Sequence, residues 1–137
     1  MTTANSIYLG DLRIKSTHLA SEVEILSDAP VDNCGKGEAF SPTDMVATAF
    51  ANCMLTIIGI GARDRGIDIV GTRAEVTKVM ISDPRRIFEI KVDVYFPNKE
   101  YSEEDKLFLA DNTRSFPVGE SLNPSIIKTI NYYWSEL

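Results

Sequence analysis

The chain has 137 residues, with 14 Lys and Arg against 20 Asp and Glu and a formal net charge of −6. That length suits one domain, its 44% apolar content supports a core, and the acidic excess excludes a polyanion-binding surface, so no nucleic acid is expected as a partner. Two cysteines cannot form a disulfide framework, and with a single histidine they cannot build an ordinary zinc site, so neither metal nor cofactor is expected.

In chain order, residues 6–27 read as short strands. A tight turn at Leu9-Gly10-Asp11-Leu12 joins Ile7-Tyr8-Leu9 to Leu12-Arg13-Ile14-Lys15. Glu22-Val23-Glu24-Ile25 alternates, which predicts a further strand with Val23 and Ile25 on one face. From Ser27 to Phe40 the chain is punctuated by Pro30, Asn33, Gly35 and Gly37 and reads as a loop.

The next stretch, Ser41 to Asp64, predicts a long helix. Ser41 suits the cap, Pro42 the first helical position, and Asp44 the partner in a capping box. No formal charge falls between Met45 and Ala62, and at about 1.5 Å per residue the helix would span roughly 36 Å. That uncharged run is short for a bilayer and carries Thr48, Asn52 and Thr56, so an enclosed helix is expected and no membrane partner. Gly66 is placed to terminate it, with Arg63 and Arg65 favourable to the helix dipole.

Thr72 to Ile81 and Ile87 to Phe96 read as a hairpin turned at Ser82-Asp83-Pro84-Arg85, with Phe88, Ile90, Val92, Val94 and Phe96 on the core face. A second helix starts at the Ser102 cap, with Asp105 as its box partner, and runs to about Arg114. A short turn or helical piece, Val118 to Asn123, leads through Pro124 to a last strand, Ile126 to Trp134. This order predicts one α+β domain over residues 1–137, an antiparallel sheet wrapped on a long central helix. One sheet covers one side of such a helix. A second copy of the chain is expected on the other, with Ala47, Ala49, Ala51, Gly59 and Gly61 permitting close approach in an obligate homodimer.

Cys53 lies near the middle of the helix. A free cysteine is commonly a packed core thiol, and three turns from the helix start the dipole activates it weakly. If chemistry occurs, it is expected there, with an arginine from another segment as the activating cation. Thr48, Asn52 and Thr56 are near it in sequence and can hold polar atoms. Cys34 reads as a surface thiol in a Gly-rich loop, and His18 as structural or solvated. Arg13, after the first turn, is either a surface charge or a cation able to reach a thiolate across a dimer.

The run Gly37-Glu38-Ala39-Phe40-Ser41-Pro42-Thr43-Asp44-Met45, followed by an Ala-rich helix to Asn52-Cys53, resembles the central motif of the OsmC/Ohr family of osmotically inducible and organic-hydroperoxide-resistance proteins. The resemblance extends along the element order. It implies an intertwined homodimer with two central helices enclosed by sheets, active sites at the subunit interface, and thiol-dependent reduction of organic hydroperoxides or hydrogen peroxide. Carried over, Cys53 is the peroxidatic cysteine and Arg13 the arginine that supports its thiolate. The acid that usually follows the motif proline is replaced by Thr43, with Asp44 one place later; such a step turns a side chain about 100° round a helix. Phe116 stands directly before Pro117-Val118, where the family's resolving cysteine is expected, so a two-cysteine cycle with that partner is excluded.

The leading expectation is a cytoplasmic homodimer that reduces a small-molecule peroxide at Cys53, with Arg13 and Asp44 beside it and an external thiol as reductant. No basic leader with a cleavage site opens the chain, which accords with that location. Phe50, Met54, Ile57 and Phe116 are expected to line an apolar pocket for the peroxide. One alternative is a redox-inactive dimer that binds a small apolar ligand. Another, a hot-dog-type thioesterase using Asp44, ranks last because helices split the strand order.

Overall fold

The computed structural model describes residues 1–112 and 115–134. Two compact units, Met1–Val46 and Ala47–Leu137, divide the chain, with the boundary inside the long helix. In the first unit, β1 (Ala4–Gly10), β2 (Arg13–His18) and β3 (Glu24–Asp28) form an antiparallel three-stranded sheet in sequence order. The expected turn joins β1 to β2, with Gly10, Asp11 and Leu12 all at positive φ. The third strand lies later than the alternation at Glu22 suggested. Glu22 takes a φ of 63° in the reversal after His18, leaving Val23 outside the strand, and pairing continues to Asp28.

The β2–β3 register sets Arg13 opposite Asp28 and Ile14 opposite Ser27. Ile7, Tyr8, Leu9, Val23, Ile25 and Leu26 are all exposed. Between β3 and the long helix, a single 3-10 turn, Val31–Asn33, is the only regular piece among the described residues.

Helix α1 spans Pro42–Arg65. Its start is a reciprocal capping box. Ser41 Oγ accepts from the Asp44 backbone N–H at 3.0 Å, and Asp44 Oδ2 accepts from the Ser41 N–H at 3.0 Å. These bonds satisfy backbone donors that helical geometry leaves orphaned. At the far end Gly66 adopts a left-handed φ of 70°, as its role of terminator requires.

The second unit holds the remainder of α1, then β4 (Arg73–Ile81), β5 (Arg86–Tyr95), α2 (Glu103–Asp111), α3 (Pro117–Ser121) and β6 (Ile127–Tyr133). Strands β4 and β5 pair antiparallel, but β6 pairs parallel to β5, so this sheet is mixed, not wholly antiparallel. The chain re-enters the sheet through α2 and α3, a crossover long enough to bring β6 back in the same direction. Ser102 caps α2 as expected; the anticipated end of that helix at Arg114 lies outside the described residues.

The core of this unit combines one stripe of α1 (Ala47, Phe50, Ala51, Met54, Ile58, Gly61 and Ala62) with Ile87, Ile90, Val92, Val94, Phe96 and Leu109. The alternation along β5 breaks near its start. Val79 pairs with Glu89 and Met80 with Ile87, so Phe88 is the extra residue of a bulge and Ile87 takes the buried position expected of Phe88.

The small residues of α1 divide. Ala47, Ala51 and Gly61 are spent inside the chain; a Cβ on Gly61 would lie 1.8 Å from Asn112 Nδ2, so glycine permits the approach of α2. Ala49, Asn52, Thr56 and Ile60 form a second, exposed stripe at helical spacing. The helix is apolar enough by length and composition to cross a membrane, with 39% of its most apolar window buried within the chain.

Replacing Ser41 by Ala removes one half of the capping box and is expected to cost about 1 kcal/mol. Urea unfolding of the two proteins measures this; coincident transitions would show that the cap contributes nothing.

Candidate active site

Cys53 belongs to the second unit and stands at the margin between the buried and exposed stripes of α1. Its thiol is free, and the residue is half-buried. The helix places Ala49, Phe50, Thr56 and Ile57 within one turn of it, but in different settings. Phe50 and Met54 point fully into the core at 0% exposure, whereas Ile57 is half-buried beside Cys53. Thr56 Oγ1 donates to the Asn52 carbonyl at 2.8 Å, which ties down the polar group expected to serve a ligand.

Phe116 sits at the N-cap of α3, 5% exposed, with its ring 4.9 Å from that of Phe50 and tilted 60° to it. That separation and tilt suit an aromatic pair packed as core. Of the residues expected to surround the peroxide, Phe50, Met54 and Phe116 are interior packing in the single chain, whereas Ile57 and Cys53 are half-buried. The helical period alone placed Phe50, Met54 and Ile57 near the thiol; the core stripe decided that Phe50 and Met54 face inward.

Arg13 and Asp44 belong to the first unit. Arg13 opens β2, and its guanidinium grips the carboxylate of Asp28 with two bonds, Nε to Oδ1 at 2.7 Å and Nη2 to Oδ2 at 2.8 Å. Asp28 is 2% exposed, and its Oδ2 also accepts from the Glu38 backbone N–H at 3.0 Å. Such charge-assisted fork contacts are shorter and stronger than neutral hydrogen bonds. Glu38 adds a looser contact, Oε1 at 3.7 Å from Nη2. Among the described residues Nη1 makes no hydrogen bond.

The bond from Arg13, aided by that from the Glu38 N–H, holds the Asp28 carboxyl below its ordinary value despite the opposing cost of burial. The same bond pushes the Arg13 guanidinium further up, so this cation stays charged at any working pH. Asp44, placed beside the thiol in the sequence reading, directs Oδ2 at the Ser41 N–H in the helix cap. The carboxylate that holds Arg13 is Asp28, which the sequence reading missed. Its signal was present: in an antiparallel hairpin the residue opposite Arg13 follows from the register, but only once β3 is known to continue to residue 28.

Cys34 is exposed and free, in a left-handed conformation with φ 67° just after Val31–Asn33. His18 is exposed too, with Nδ1 at 2.6 Å from Ser21 Oγ.

Comparison with known proteins gives a consistent picture. Residues 35–130 match the profile of the family described as OsmC-like protein. A proposed osmotic stress induced and detoxification response protein from Psychrobacter arcticus 273-4 is 51% identical, with 97% of this chain and 96% of that one aligned at a TM-score of 0.92. An OsmC like protein from Mycoplasma pneumoniae shares the fold at 17% identity and a TM-score of 0.79, over 97% of this chain and 96% of that one. An organic hydroperoxide resistance protein OsmC from Legionella pneumophila does so at 14% identity and a TM-score of 0.70, over 98% of each chain. Among functionally curated proteins none is similar to this chain.

A carboxyl held below its unfolded value binds fewer protons folded than unfolded as the solution is acidified. Its stabilisation is therefore complete above the ordinary 3.8 and is withdrawn as pH falls through the folded value. The stability difference between wild type and Asp28→Asn is expected to stay constant from about pH 5 to 8 and to shrink below about pH 4. Chemical denaturation across that range checks it; a difference that persists undiminished in acid would remove the ion pair as its source.

Proposed function

Because the chain belongs to the OsmC-like family, we propose that it is a homodimeric, thiol-dependent peroxidase that reduces organic hydroperoxides or hydrogen peroxide at Cys53. The observation that carries this reading is a free, half-buried thiol on the margin of the outward stripe of α1. A thiol sealed in the core would be inert, and one fully in water would lack a shaped surround.

In the proposed cycle the Cys53 thiolate attacks the terminal peroxide oxygen. The O–O bond breaks, the alkoxide leaves and takes up a proton as the alcohol, and the sulfur becomes a sulfenic acid. An external low-molecular-weight thiol then condenses with the sulfenic acid, releasing water and leaving a mixed disulfide. A second thiol attacks that disulfide, restoring Cys53 and carrying away the oxidised reductant. Phe116, buried on Phe50 where the family's second cysteine is expected, supports an external reductant. Arg13 is assigned the cation that favours the ionised thiol, and the reading needs no cofactor. The location proposed is the cytoplasm, where both cysteines stay reduced.

The exposed stripe Ala49, Asn52, Thr56 and Ile60, with the exposed apolar residues of the first sheet, supports the second copy. We read the two units as parts of one OsmC-like domain, since the family match crosses their boundary. The alternative is a redox-inactive dimer that retains an apolar ligand site. Phe116 is the observation that favours it, because it removes an internal route for resolving the sulfenic acid.

Steady-state consumption of an alkyl hydroperoxide with dithiothreitol tests the proposal. Cys53→Ser is expected to fall to the uncatalysed rate, and turnover surviving that substitution would end the peroxidase reading. No Cys53-dependent turnover in wild type, with an apolar ligand bound, would favour the alternative. Sedimentation is expected to give twice the 15.2 kDa of one chain, and Ile60→Arg to shift it toward the monomer; a monomeric wild type would overturn the dimer.

A further inference from the structure

Apart from the candidate active site, the second unit holds a recess of about 460 Å³ lined by Asn98, Lys99, Glu100, Tyr101, Lys106 and Trp134. Three places in the chain supply these residues: the loop that follows β5, the N-terminal half of α2, and the residue just after β6. A volume of that size falls in the range of small-molecule sites.

The aromatic part of the lining is fixed from behind. The Trp134 indole stacks on Phe96, which is 0% exposed, with ring centroids 4.2 Å apart and planes within 11° of each other. Tyr101 meets both rings edge-on with centroids at 6.0 Å, and its hydroxyl donates to the Asp68 carbonyl at 2.9 Å. The Phe96 N–H donates to the Tyr133 carbonyl at 2.9 Å, which ties the loop to the end of β6. Trp134 itself is half-buried and gives part of its surface to the recess.

The rest of the lining is charged. Lys99 and Lys106 against Glu100 leave an excess of one positive charge there, in a chain whose net charge is −6. The two lysines are held differently. Lys99 is bound to Asp68, whose Oδ1 also accepts from the Val70 N–H at 3.0 Å. Lys106 has Glu103, three residues earlier on α2, at 3.1 Å, and the side chain of Glu103 is 87% exposed. A pair so open to water contributes little, so its ammonium is free to be shared with another carboxylate.

We propose that this recess binds a small planar aromatic molecule bearing a carboxylate, with its ring against Trp134 and its carboxylate on Lys106. The fixed indole offers the ring an aromatic surface, stacked or edge-on. The ammonium supplies a charge-assisted bond, stronger than one between neutral groups. No residue of the recess takes part in the chemistry proposed at Cys53, so the inference does not rest on the peroxidase reading.

Trp134 is the only tryptophan of the chain, so its fluorescence reports on this recess alone. Titrating the full-length protein with benzoate is expected to change that emission saturably. Acetate, benzyl alcohol and benzylammonium, at the same concentrations, are expected to give no saturable change. Calorimetry on the same titrations reads any binding that leaves the emission unaltered. Lys106→Gln, an exchange on the surface of α2, is expected to weaken benzoate about tenfold, as loss of one hydrogen bond to a charged group does. Neither saturable emission nor saturable heat with benzoate would overturn the proposal, as would benzoate binding unchanged in Lys106→Gln. Benzyl alcohol or benzylammonium bound as tightly as benzoate would overturn it too, since the recess would then not be selecting the carboxylate.

Discussion

A helix with no charge between Met45 and Ala62 has more apolar surface than one sheet can hide, and the rest of the molecule answers to that constraint. Its own chain buries a single stripe, from Ala47 through Phe50, Met54 and Ile58 to Ala62, in the core of the second unit. The reverse side stays open as Ala49, Asn52, Thr56 and Ile60. Cys53 falls on the seam between the two. That location gives the thiol its chemical interest, since it is neither sealed among hydrocarbon nor dissolved in water. In the dimer we propose, the uncovered stripe becomes interior, and the seam becomes the wall of a cleft.

The second constraint is electrostatic and belongs to the first unit. A carboxylate as buried as Asp28 is costly without a partner, and Arg13 with the Glu38 N–H supplies three short bonds to it. Because both members sit on paired strands, the contact is fixed by the hairpin register, not by long flexible side chains finding each other. An arginine held along one edge like this keeps its orientation, because the fork and the strand pairing together leave its side chain little rotamer freedom.

Phe116 shapes the chemistry by what it lacks. An aromatic ring packed on Phe50 can fill the core but cannot condense with a sulfenic acid. The proposed peroxidase therefore depends on a small thiol from its surroundings. The same ring is what lends weight to a redox-inactive binding role.

Much of this was legible in the residues themselves. The ends of α1 were written locally, in Ser41-Pro42-Thr43-Asp44 and in Gly66, because capping and left-handed termination are satisfied by neighbours in sequence. The hairpin turn after β4, the cap of α2 and the family motif around Cys53 were local in the same sense. What the sequence did not contain were relations between distant residues. The parallel entry of β6, the bulge that exchanges Phe88 for Ile87, and the inward turn of Phe50 and Met54 all depend on where other elements lie. Asp28 is the sharpest case. Reading Arg13 alone cannot reveal its partner, since one added or lost residue in a strand moves every cross-strand pair, and only the folded register set the two charges opposite each other.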